Sequence, residues 1–115
     1  MTMTDVIHLF SYGTLQLDQV QISTFGRLLD GHADAMPGWR TEMLEITDLD
    51  VLKTSGERFH PVVVPSDDPT DAVEGKVFVI TAEELARADS YEVSDYKRIA
   101  VPLASSLTAW VYVKA

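Results

Sequence analysis

Cysteine is absent from the 115 residues, which excludes disulfides, thiolate nucleophiles and cysteine-based zinc sites. Basic residues are scarce: nine Lys and Arg stand against eighteen Asp and Glu, a net charge of −9. Nucleic-acid binding draws on phosphate neutralisation and counterion release, so this balance argues against a nucleic-acid partner. It argues equally against adhesion to an anionic membrane. No apolar stretch approaches the ~20 residues of a membrane-spanning helix, and Met1-Thr2-Met3-Thr4-Asp5 lacks the basic start of a signal peptide. A cytoplasmic location is expected. His8, His32 and His60 are scattered without a paired spacing, so no metal site is expected. Asp67, Asp68 and Asp71 lack the glycine and terminal Glu of a calcium loop. Ser94, Ser105 and Ser106 have no nucleophile-elbow context.

What is present suits one globular domain over residues 1–115, with 1–5 as a loose N-terminal arm. The hydrophobic fraction of 46% suffices for a core without staples. Val6-Ile7-His8-Leu9-Phe10 reads as a strand apolar on both faces. Leu17 to Leu29 carries apolar residues at 17, 20, 22, 25, 28 and 29, a helical spacing weakened by Gly26 and expected to end at Gly31. Ala33 to Val51 alternates around a Pro37-Gly38 bend, which predicts broken strands. Ser55-Gly56-Glu57 predicts a turn, and Pro61 to Val64 a short strand at a sheet edge or rim. Val73 to Ile80 reads as a strand with Val73, Val77 and Val79 on one face. Thr81-Ala82-Glu83-Glu84 fits a capping box that starts a helix to about Tyr91. Ile99–Leu103 and Leu107–Val113 complete the set around a Ser105-Ser106 turn. The class is α+β, many short strands with one or two helices.

Two segments carry the functional signal. Tyr12-Gly13-Thr14-Leu15 stands at the end of the first strand, where a glycine gives a ligand access to bare main chain and its N–H groups. By itself this is also what an ordinary strand-to-turn junction looks like. Much later comes Leu85-x-x-x-Asp89-x-Tyr91-Glu92-x-x-x-Tyr96-x-Arg98. Between them lie Met36-Pro37-Gly38-Trp39-Arg40, His60-Pro61-Val62-Val63-Val64 and Val73-Glu74-Gly75-Lys76-Val77-Phe78. In order and spacing, from about Val6 to Val113, this set resembles the gamma-glutamylcyclotransferase-like family, also called AIG2-like or BtrG-like.

The resemblance implies a small mixed β-barrel and a cofactor-free reaction. In that reaction the α-amine of a γ-glutamyl group attacks its own γ-carbonyl, giving 5-oxoproline and releasing the attached amine. It places the general acid/base at Glu92 and substrate binding at Tyr12, Gly13, Thr14 and Leu15, largely through main-chain groups. The turn would hold the glutamyl carboxylate or steady the γ-carbonyl oxygen; the sequence leaves both open. Tyr112, alternating with Val111 and Val113 on the face shared with Trp110, is a further candidate at the pocket. The partner is then a small γ-glutamyl molecule, and the sequence is silent on leaving amine and oligomeric state. A base at Glu92 needs burial without a locked arginine, so Arg98 should turn elsewhere, to Asp89 or Asp95. Val93 stands where the family often carries glycine. Two alternatives remain: a non-catalytic metabolite- or protein-binding member of the same fold, with Glu92 exposed or salt-bridged, and an interaction module using a sheet edge near Pro61 to Pro65.

Overall fold

Strands that are apolar on both faces need a partner layer on each side, and the computed structural model supplies both. It describes residues 6–45, 59–92 and 96–115. The arm at 1–5, the stretch 46–51, the Ser55-Gly56-Glu57 turn and Val93, Ser94 and Asp95 lie outside the described residues. Seven strands and two helices are described: β1 (Ile7–Ser11), α1 (Asp18–Phe25), β2 (Asp30–Pro37), β3 (Trp39–Glu45), β4 (Phe59–Pro65), β5 (Ala72–Ile80), α2 (Ala82–Tyr91), β6 (Tyr96–Pro102) and β7 (Thr108–Lys114). The main sheet runs β2-β5-β1-β7-β6, and β3 pairs with β4 as a separate ribbon. β1 is antiparallel to β5 and parallel to β7, so the sheet is mixed.

Side-chain alternation sorts the core into two layers. On the ribbon side, Phe10, Met36, Val73, Val77, Val111 and Val113 pack with Val63 and Trp39. On the helix side, Leu9, Phe78, Ile80 and Tyr112 pack with Phe25, Leu85 and Ala88. Neighbours in sequence, such as Leu9 and Phe10, therefore enter opposite cores. Each fully buried aliphatic or aromatic side chain contributes roughly 1.5–3 kcal/mol. The same alternation leaves Val79 exposed, where it pairs with Asp30 at the end of β2 away from the Gly38 bend.

The α+β class holds, with a mixed sheet and two helices, but the sheet does not close into a barrel. Its order ends at β2 and β6. Past the end of β6 the two edges are joined where Ala104 N–H donates to the Ala35 carbonyl at 2.9 Å. Beside that bond, the amide and hydroxyl of Ser105 both donate to the Asp34 carboxylate. One main-chain bond and one side-chain clip stand where a barrel would carry a ladder.

The first helix also departs from expectation. A short 3-10 turn at Thr14–Gln16 precedes α1, which ends at Gly26 rather than Gly31. Gly26 adopts φ 76, a left-handed conformation that caps a helix without the Cβ penalty. Gly31 instead lies within β2, where a Cβ would stand 2.4 Å from Phe78 Cδ1. Its role is close packing, not termination.

Candidate functional site

Strand and helix lengths decide what meets what. β5 ends at Ile80, opposite Ile7 at the start of β1. The capping box forms as the residues dictate: Glu84 N–H donates to Thr81 Oγ1 at 3.1 Å, and Thr81 N–H to Glu84 Oε1 at 3.0 Å. From there ten residues of α2, about 15 Å of helix, run back along the five residues of β1, about 17 Å of strand. Glu92 consequently arrives level with the turn that leaves β1. A hydrogen bond of 2.6 Å between the Thr14 and Tyr91 hydroxyls joins the two ends. β7 lies on the other side of β1, with Trp110 in register with Leu9, which brings Tyr112 to the same end. There the Tyr12 hydroxyl donates to the Tyr112 carbonyl at 2.6 Å.

Glu92 caps α2, its N–H bonded to the Ala88 carbonyl at 3.0 Å. Among the described residues, no hydrogen bond or ion pair reaches its carboxylate. Burial pushes that carboxyl up from 4.5 to about 7. Three phenols feel its charge. Tyr12 is raised, first by burial and then by Glu92. Tyr91 is raised by burial, with Thr14 opposing and Glu92 adding. Tyr112 is raised by burial, by its hydrogen bond to Asp89 and by the charges of Asp89 and Glu92. All three stay protonated at neutral pH, their hydroxyls engaged with the Tyr112 carbonyl, Thr14 and Asp89.

The turn itself differs from a positive-φ loop. Gly13 adopts φ −134 and ψ −143, and its N–H donates to Ser11 Oγ at a long 3.3 Å. Among the described residues a Cβ there would meet only Pro61 Cγ, at 4.0 Å, so the glycine leaves space in front of the main chain. The amides of Thr14 and Leu15, opening the 3-10 turn, have no acceptor among the described residues. They are available to an anion or a developing oxyanion. The Leu15 side chain is buried in the helix-side core, so it can serve a ligand only through its main chain.

Arg98 does turn away from Glu92. Its guanidinium forms a bidentate pair with Asp89, Nε to Oδ1 at 2.8 Å and Nη2 to Oδ2 at 3.0 Å. It also lies 4.5 Å from the Trp110 ring centroid. The Tyr112 hydroxyl donates to the same Asp89 Oδ1 at 2.7 Å. One residue escaped the sequence reading altogether. Gln21, buried in α1, donates to the Leu15 carbonyl and accepts from Leu29 N–H, both at 2.9 Å. It braces the turn, and a polar residue among the helix's apolar positions gives no signal of such a role.

A family profile described as gamma-glutamyl cyclotransferase, AIG2-like, matches residues 9–115. The chain belongs to this family. Solved structures agree on the fold. A protein of Arabidopsis thaliana is 24% identical with a TM-score of 0.75, covering 99% of this chain and 66% of its own. A gamma-glutamyl cyclotransferase is 14% identical with a TM-score of 0.72, over 96% of this chain and 68% of its own. A protein of Pyrococcus horikoshii is 17% identical with a TM-score of 0.62, over 94% of this chain and 77% of its own. The chain thus spans about two thirds of the length of the first two. No curated protein matches it by sequence.

Proposed function

We propose that this AIG2-like protein cyclises the γ-glutamyl group of an amine or amino-acid conjugate, releasing 5-oxoproline and the free amine, with Glu92 as general acid/base. The observation that carries the reading is a carboxyl titrating at about 7 and unpaired among the described residues, beside two main-chain amides that have no acceptor among those residues. The α-ammonium gives a proton to Glu92, the freed nitrogen attacks the γ-carbonyl carbon, and a lactam C–N bond forms as the original amide C–N bond breaks. Glu92 returns the proton to the departing nitrogen; the second proton that the attacking nitrogen sheds on becoming a lactam N–H then passes to the freed carboxylate and on to the released amine, which leaves as an ammonium. The Thr14 and Leu15 amides hold the negative oxygen in between. Attack is intramolecular, so the protein's task is to hold the substrate curled and to move protons. No cofactor enters the scheme.

The proton arithmetic favours a buried base. An α-amino group titrates near 7.8 and an ordinary Glu near 4.3, so the first transfer would be uphill by about 5 kcal/mol. With the Glu92 carboxyl at about 7, that step falls to about 1 kcal/mol. A non-catalytic binding protein would tolerate an exposed or ion-paired acid here, whereas Glu92 is not exposed and has no ionic partner among the described residues. The test is 5-oxoproline release from a mixture of γ-glutamyl compounds by wild type and Glu92→Gln. The variant should lose at least roughly 100-fold in kcat, the lower range for removing an acid/base group. Equal rates would remove Glu92 from the reaction.

A further inference from the structure

We propose that Asp89 is a positioning residue that occupies the Arg98 guanidinium and so keeps Glu92 unpaired. Its functional meaning rests on the reading of Glu92 above. Asp89 and Glu92 stand three apart at the end of α2, and Glu92 N–H still makes the helical bond to Ala88. Residues at that spacing share a helix face with Cβ atoms about 5–6 Å apart. A guanidinium anchored on one of them therefore lies a side-chain rotation away from the other. Three contacts hold it on Asp89: the two-pronged ion pair, the Trp110 ring beneath its plane, and the Tyr112 hydroxyl that fixes the receiving carboxylate. These come from α2, β6 and β7, so the arrangement is set by tertiary packing rather than by the helix alone. Bidentate geometry and stacking are both properties of arginine that lysine lacks.

Among the described residues, Tyr12 after β1, Tyr91 on α2 and Tyr112 on β7 feel the charge of Glu92, and Asp89 on α2 and Arg98 on β6 join the set through Tyr112. Arg98 is the one cation of that set. Removing the Asp89 charge leaves Glu92, among the described residues, as the next carboxylate for Arg98 on that face of α2. An opposite charge at about 4–6 Å lowers a carboxyl by roughly 1–3 pH units. Removing Arg98 instead leaves a second anion beside Glu92 and moves its titration the other way.

The experiment follows the Glu92 side-chain carboxyl by carbon NMR in the full chain, without substrate, its resonance assigned by its disappearance in Glu92→Gln. Asp89→Asn should lower the titration midpoint by at least about one unit, tenfold in proton affinity. Arg98→Gln should raise it, and the double variant should return it towards wild type. An unmoved midpoint in Asp89→Asn, or two single variants shifting in the same direction, overturns the proposal. If Asp89→Asn does not fold, Arg98→Gln decides: a raised midpoint supports the proposal and an unmoved or lowered one ends it. A merely structural Asp89 would leave the midpoint where it stands. Because turnover is not read, active Glu92→Gln would refute the catalytic reading and leave the titration result intact.

Discussion

Burying a carboxyl to make it a base destabilises the fold, and Glu92→Gln should reveal by how much. The variant keeps size and shape while removing the charge. The folded carboxyl titrates at about 7 against 4.5 for the ordinary value. Since the folded-state pKa is the higher, stability from this group is fully present below about 4.5 and is lost as pH rises through about 7. A separation of about 2.5 corresponds to roughly 3 kcal/mol at pH 8. For 115 residues, an unfolding entropy near 2.1 cal/mol/K per residue converts that to roughly 10–15 °C in Tm. Thermal unfolding of both proteins from pH 4 to pH 8 is the assay. Glu92→Gln should be the more stable at pH 8, and the gap should narrow through neutrality and vanish near pH 4. A gap independent of pH, or none at pH 8, would refute the burial argument.

Other expectations follow from the same geometry. The acid limb of kcat/KM should fall at about 7, where Glu92 must be ionised, and the basic limb near the 7.8 of the substrate α-amine, giving a narrow bell. An acid limb near 4.5 in the pH–rate profile would contradict it. Gln21→Glu keeps the acceptor for Leu29 N–H but cannot donate to the Leu15 carbonyl. It should cost about 1–3 kcal/mol in denaturant unfolding and lower kcat/KM, and unchanged values in both would deny Gln21 its bracing role.

Local chemistry made much of this readable in the sequence. The capping box at Thr81 to Glu84 and the helix end at Tyr91 follow from groups within one turn of each other. The strand alternation of β5 and β7 predicts which residues share a face. Non-local effects stayed hidden. Gly26 and Gly31 are equally plausible helix stops by residue type. What separates them is the Phe78 ring pressed against Gly31 from β5, 47 positions along the chain. Likewise the way the two sheet edges meet depends on Ala104 reaching Ala35 and Ser105 reaching Asp34 across the molecule. At the site, the Tyr-Gly-Thr-Leu segment was legible as exposed main chain, but Gly13 serves by leaving space rather than by a positive φ. Gln21 could not be read at all, because both its partners are main-chain atoms that any sequence would supply.

The charges along α2 tie burial and function together. Glu83 pairs with Arg87, Glu84 with Arg27 and Asp89 with Arg98, while Glu92 has no cationic partner among the described residues. Each pairing lies on a different face or end of the helix, so a general excess of acid does not explain the exception. The position also compounds the effect: the C-terminal end of a helix carries partial negative charge, which disfavours an anion there by roughly 0.3–1 kcal/mol. A structural acid would be better placed in the first turn, where Glu83 and Glu84 already are. Retaining an acid at the helix end, withholding an arginine from it and burying it all raise its proton affinity. Stability alone would favour the reverse of each choice. The combination makes sense if the proton on that carboxyl must come and go near neutral pH.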